Sequence, residues 1–298
     1  MSGSDAPRTR LHGTVIRPTL ERLRAARQTL APRGTARGRP IDAAIDAYAE
    51  RRRDADQTSD LRILVAGPPK AGNMWVKCLL ASIYGLRWGG SVAMPAEKTV
   101  ASLREHIAGG GFLAGTVFHQ HYDYADEIVD LAATTPFHLL TVIRDPYDLF
   151  VSLYYHQQNR PLKSQRDDDP RRVVIGKPLD HPDVLRYLAH GFDRPLKKAS
   201  DWLHSGRSIV IRYEDLHRDP VAELTRVTAL IRPVESADIE RAVEACSVEN
   251  MRKINQGMAK HVRSATVGDS RQRLGPAHLA VFREHHAELI HGLGYEVR

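Results

Sequence analysis

ILVAGPPKAGNMWVKCLL, residues 63–80, is a short apolar run, then Gly67-Pro68-Pro69-Lys70-Ala71-Gly72, then a helix-forming stretch from about Asn73. A buried strand turning through glycines into a helix aims backbone N–H groups and the positive helix end at one point. An anion binds there without a separate counter-ion. Lys70 adds a mobile positive charge at the same place. A magnesium-dependent NTPase loop is disfavoured, because it needs Lys followed directly by Ser or Thr. Here Lys70 is followed by Ala71 and precedes the second glycine.

Working outward, three more apolar, β-branched runs stand out: GTVFHQH at 115–121, FHLLTVIR at 137–144 and RSIVIRYED at 207–215. Helical stretches such as WVKCLLASIYG and DPVAELTRVTALI separate the strand-like runs. Strands alternating with helices predict a single α/β domain with a central parallel sheet flanked by helices and a P-loop-like strand–loop–helix. In such sheets ligands collect beyond the C-terminal strand ends, and the chemistry-bearing motifs of this chain fall at such ends. We assign residues 59–298 to this domain and 1–58 to a basic, partly disordered N-terminal extension with a helix. Residues 157–181 are polar and weakly patterned, as in a lid, a binding loop or a disordered segment.

The second anion-directed motif is LLTVIRDPYDLFVSLYYH, residues 139–156. Arg144 ends a strand, Asp145-Pro146 opens a helix, and Ser152 lies eight residues after Arg144, about two turns in. Arg144 can give a forked, charge-assisted contact to a phosphate and Ser152 a hydroxyl donor. The competing reading is an ion pair of Arg144 with Asp145 or Asp148.

Together these motifs resemble PAPS-dependent sulfotransferases, whose donor is 3′-phosphoadenosine 5′-phosphosulfate (PAPS). PKAGNMWVK is similar to the family's PKSGTTW loop: Pro69, Lys70, Gly72 and Trp75 match, while Ala71, Asn73 and Met74 depart. RDPxDxxxS, from Arg144 to Ser152, matches the family's 3′-phosphate motif in residues and spacing. The resemblance implies that Lys70 contacts the 5′ phosphate and bridging oxygen, and that Trp75 and Tyr213 approach the adenine. CSVENMRK resembles TSFxxMrk and places Ser247 or Cys246 near the base. HVRSATVGDS resembles RKGxxGDW, with Arg263 reaching the 3′ phosphate and Ser264 standing for its lysine. The resemblance implies PAPS as donor, 3′-phosphoadenosine 5′-phosphate (PAP) as product, no metal, and a hydroxyl or amine of a small-molecule or glycosylated acceptor. Dimers are common in the family.

Sulfuryl transfer needs a base for the acceptor proton, and histidine titrates in the right range. Among 15 histidines, GTVFHQHYDY gives positional support to two. Alternation puts His119 and His121 on one face of a strand end. By resemblance to the family's KTH run, His121 is the base and His119 replaces the lysine, with Asp123 the carboxylate alternative. Lys70 is placed to neutralise charge on the leaving phosphate.

The chain has 298 residues, a net charge of +7 and two cysteines, Cys78 and Cys246. Two distant cysteines make neither a disulfide framework nor a zinc site, so a cytoplasmic location is expected. The positive charge draws anions, and a polyphosphorylated cofactor explains it more economically than nucleic acid, for which the sequence offers no reader helix or aromatic platform. No apolar run reaches the length of a membrane span. A phosphotransferase and an inactive nucleotide-binding relative are the alternative functions.

Overall fold

The computed structural model describes residues 60–88, 97–159, 169–254 and 266–298. The 58/59 division and the extension's helix lie outside the described residues. So do Arg263, Ser264 and much of the weakly patterned segment after Asn159.

In chain order the first half contains β1 (Arg62–Ala66), α1 (Asn73–Tyr84), β2 (Arg87–Trp88), α2 (Val100–Ala108), β3 (Thr116–Gln120), α3 (Asp126–Thr134), β4 (His138–Ile143) and α4 (Pro146–Gln158). A 3-10 turn (Pro170–Val174) follows. Next come α5 (Pro182–Gly191), α6 (Asp193–Ser205), β5 (Ile209–Arg212), α7 (Tyr213–Arg218), α8 (Pro220–Ile231), α9 (Ser236–Ala245) and α10 (Val248–Ile254). The short α11 (Ser270–Arg273) and the long α12 (Pro276–Gly292) complete the described chain.

The four strand runs read from the sequence are all strands. The two-residue β2 joins them in one five-stranded sheet of order β2-β3-β1-β4-β5, in which every pairing is parallel. Two residues carry too little pattern to be seen in advance. The last strand run is shorter than its sequence suggests: Tyr213-Glu214-Asp215 already belong to α7.

Alternation along the central strands builds two cores. Ile63 and Val65 of β1 join Leu140 and Val142 of β4 in the larger one. Leu64 and Ala66 turn to the opposite face, with Leu139, Phe118 and Trp202. Strands buried on both faces are what helices on both sides of a parallel sheet require. The chain leaves β1 towards β3 on one side and reaches β4 on the other. The sheet's switch point, where such folds open a crevice, therefore lies at the C-terminal ends of β1, β3 and β4. Among the described residues no helix is long and apolar enough to cross a membrane.

Candidate active site

Sheet register alone lays out the site. Ala66 pairs with Gln120 and Ile143 with Arg212. One residue past these pairs, Gly67 stands beside His121 and Arg144 beside Tyr213. The strand ends thus present His121, Gly67, Arg144 and Tyr213 in a staggered row, in the order β3, β1, β4, β5, with Arg144 and Tyr213 two residues beyond the level of His121 and Gly67.

The Gly67–Gly72 loop has the expected form. Helix α1 starts at Asn73, with Gly72 as its cap residue and no side chain capping it. Trp75 and Val76 N–H groups both donate to the Gly72 carbonyl, at 2.9 and 3.2 Å. The N–H groups of Asn73 and Met74, at the very start of the helix, have no intrahelical acceptor and point at the loop. Lys70, at φ 69°, is the one non-glycine residue with positive φ among those described. An L side chain there costs about 1–2 kcal/mol, and such strain concentrates where function holds it.

The residues that depart from the expected motif have structural places. Ala71 is fully buried in the larger core, and Met74 packs against it. Asn73 Nδ2 donates to the Pro68 carbonyl at 2.8 Å, so this side chain braces the loop from within, and the backbone N–H remains for a ligand.

Gly72 is required by its neighbour. A Cβ there would lie 2.6 Å from Tyr213 Cδ2, and its φ of +114° strains any L residue. Gly72→Ala should therefore cost about 2 kcal/mol or more and lower the melting temperature by roughly 4–8 °C, measured by thermal unfolding. An unchanged melting temperature would mean that the ring does not press on the loop.

Arg144 is 8% exposed and Asp148 2%. The guanidinium joins two loops: Nη1 donates to the Lys70 carbonyl at 3.4 Å and Nη2 to the Thr266 carbonyl at 3.1 Å. Its carbon lies 4.3 Å from the Tyr213 ring centroid, a cation–π contact. The ion-pair alternative is half right. Asp148 is 4.0 Å away, but its carboxylate is taken up by the N–H groups of Gly268 (2.6 Å) and Ser270 (2.8 Å). Asp145 caps α4, accepting from the Tyr147 and Asp148 N–H groups. Asp148 therefore anchors the 266–270 loop against Arg144, a role its spacing did not announce. Ser152 sits four residues beyond Asp148 on the same helix face.

On the far side of Gly72, Trp75 meets Tyr213 edge to face at 5.9 Å and His217 at 6.4 Å. The Trp75 indole N–H donates to the Cys246 carbonyl at 3.1 Å, and Ser247 Oγ accepts the Asn250 N–H at the start of α10. Residues expected from three separate motifs thus share one aromatic wall. His217, one helical turn after Tyr213, was not singled out from the sequence. The two cysteines, distant in sequence, are also brought together: Cys78 Sγ and Cys246 Sγ lie 2.6 Å apart, both buried and free of disulfides.

At the other end of the row, His121 Nδ1 lies 2.9 Å from the Gly67 carbonyl oxygen. A carbonyl only accepts, so Nδ1 carries the proton and Nε2 keeps its lone pair. Burial, together with the positive charges of Lys98, Lys198 and Arg171, pushes the imidazole pKa down to about 3, against the pull of the Gly67 contact. The ring is therefore held in its neutral form. His119, two residues earlier, holds its ring edge to face at 5.7 Å.

These features suit a ligand with anionic groups at separate points: an uncapped helix start and a buried Arg144 whose Nε has no hydrogen-bond partner among the described residues. Among the described residues no His, Cys, Asp or Glu cluster could hold a metal ion.

Comparison with known proteins leads to the same place. No curated protein matches the sequence significantly. Among solved structures, mouse sulfotransferase SULT7A1 complexed with PAP aligns with a TM-score of 0.59 at 13% identity, over 85% of this chain and 89% of that one. Retinol dehydratase, in complex with androsterone and inactive cofactor PAP, aligns at 0.52 and 13% identity over 76% and 80%. At such identity these likenesses establish a shared fold. The family model described as sulfotransferase domain matches residues 131–294, more than half of the sequence, taking in Arg144, Tyr213 and the loop that Asp148 anchors. The chain belongs to the sulfotransferase domain family.

Proposed function

We propose that this protein transfers a sulfuryl group from PAPS to a hydroxyl or amine of a small-molecule or glycosylated acceptor. The observation that carries the reading is the reach of Arg144 to the Lys70 carbonyl. It joins the two anion-directed motifs, 74 residues apart in sequence, at one end of one sheet. A donor with a 3′ phosphate separate from its 5′ chain needs two such points, whereas ATP does not.

In this reading the loop N–H groups of residues 71–74 and Lys70 hold the 5′ end. Arg144 and Ser152, with Arg263 and Ser264, hold the 3′ phosphate. Trp75, Tyr213 and Ser247 flank the adenine. The bound donor supplies a sulfuryl group carried on a phosphate leaving group. His121 Nε2 accepts the acceptor's proton as its oxygen or nitrogen bonds to sulfur, with His119 beside it, and Lys70 neutralises the charge that grows on the leaving phosphate.

Calorimetric titration separates this reading from a phosphotransferase. PAP should bind at least tenfold more tightly than the same nucleotide lacking the 3′ phosphate, about 1.4 kcal/mol. Tight binding of ATP with magnesium, and indifference to the 3′ phosphate, would end the proposal.

A further inference from the structure

His121 is held by more than its ring. Three consecutive residues at the end of β3 are gripped by one stripe of α6. Lys198 Nζ donates to the His121 carbonyl at 2.8 Å and also to the Asp123 carboxylate. One turn on, Trp202 Nε1 donates to the Tyr122 carbonyl at 3.0 Å. One turn back, Arg194 approaches the other Asp123 oxygen at 3.7 Å. Residues 194, 198 and 202 are spaced i, i+4, i+8 and share a helix face. Lys198 is 6% exposed and Trp202 fully buried.

A buried ammonium is costly unless it is paired and hydrogen-bonded. A solvent-facing residue would serve stability at less cost, so an ammonium kept here needs a reason. Its two partners supply one: a main-chain carbonyl and a carboxylate two residues apart on the segment that carries the imidazole. With Lys198 on the carbonyl and Gly67 on Nδ1, the His121 residue is fixed from both ends, leaving only Nε2 to face the acceptor.

We infer that Lys198 is a positioning residue for sulfuryl transfer, locking the main chain of His121 through the Lys198–Asp123 pair so that Nε2 is presented to the acceptor. This rests on the reading of His121 as the base. Precision of this kind is worth much in catalysis, since a misplacement of about 1 Å in a reacting group can cost 10²-fold. The groups that bear on the imidazole are Lys98 ahead of α2, Arg171 in the 3-10 turn and Lys198 of α6, with His119 of β3 beside it and Asp123 balancing Lys198.

The test uses the full chain with PAPS and an active acceptor, following kcat, KM for PAPS and the pH profile. Lys198→Met fills the same space without charge or donor. It should lower kcat by about 10–100-fold, change KM for PAPS less than twofold, and move the acid limb to higher pH, because a cation beside the imidazole is gone. Lys198→Arg should recover most of the rate. Loss of rate with an unmoved limb would make Lys198 merely structural, and wild-type kinetics would remove its role; either overturns the inference. Should Lys198→Met fail to fold, Asp123→Asn, at an exposed carboxylate, decides. It should slow kcat severalfold and move the limb to lower pH, since Lys198 loses its counter-charge. Unchanged kinetics, or complete loss of activity in the folded protein, would overturn the inference. Full activity in His121→Ala would instead sink the reading on which it rests, and is distinguishable for that reason.

Discussion

His121→Ala should lower kcat by about 10²–10⁴-fold, the range for removing a positioned general base, while PAP binding stays within about twofold of wild type. The separation follows from geometry. The imidazole stands at the β3 end of the row, whereas the anion-directed groups stand at β1 and β4. Its pKa gives the proposal a second face. In the free enzyme the ring is pushed down to about 3, so the neutral, proton-accepting form persists far below the ordinary histidine range of about 6.5. A bound polyanionic donor stabilises the imidazolium and raises that pKa. The acid limb of kcat/KM for PAPS, which reports the free enzyme, should therefore lie at lower pH than the limb of kcat, which reports the complex. Full activity in the variant would move the base role to His119. Limbs coinciding near 6.5 would contradict the environment described for His121.

Arg144→Ala should weaken PAP binding by roughly 30-fold or more, corresponding to about 2–5 kcal/mol for loss of one partner of a buried charged contact. Part of the loss is indirect. Arg144 ties the Lys70 and Thr266 carbonyls together and lies on the Tyr213 ring, so its removal loosens both loops. The specific part shows as a difference: a nucleotide without the 3′ phosphate should lose much less affinity, and the two losses form a double-mutant cycle. Arg144→Lys should rescue poorly, because an ammonium has neither the fork nor the flat face that meets the ring. Equal losses for both nucleotides would remove Arg144 from the 3′-phosphate role.

Much of this protein is legible in one dimension. β1, β3, β4 and β5 are apolar, β-branched runs, and such a run announces itself without tertiary information. Asp145-Pro146 and Gly72 mark helix starts by local chemistry, Lys70 is visible within the glycine loop and Arg144 at a strand end, and Tyr213 is visible through the resemblance to the family. The cost of local misreading is small and local too: β2 is too short to leave a pattern, and the chain turns helical at Tyr213 where apolar content still suggests strand.

What the sequence by itself determined is the four longer strands, the helix starts at Asn73 and Pro146, and the residues beside them, since these follow from interactions between neighbours in the chain. What only the tertiary structure decided is which ends meet. Parallel register sets His121 against Gly67 and Arg144 against Tyr213, and the Gly67 carbonyl then fixes the imidazole tautomer. Packing of α6 brings Lys198 and Trp202 onto residues 121–123, and the turn at 246 brings Cys246 to Cys78 and Trp75. These contacts span about 50–170 residues, and their partners are chosen by how whole layers pack, which no local pattern of charge or hydropathy encodes.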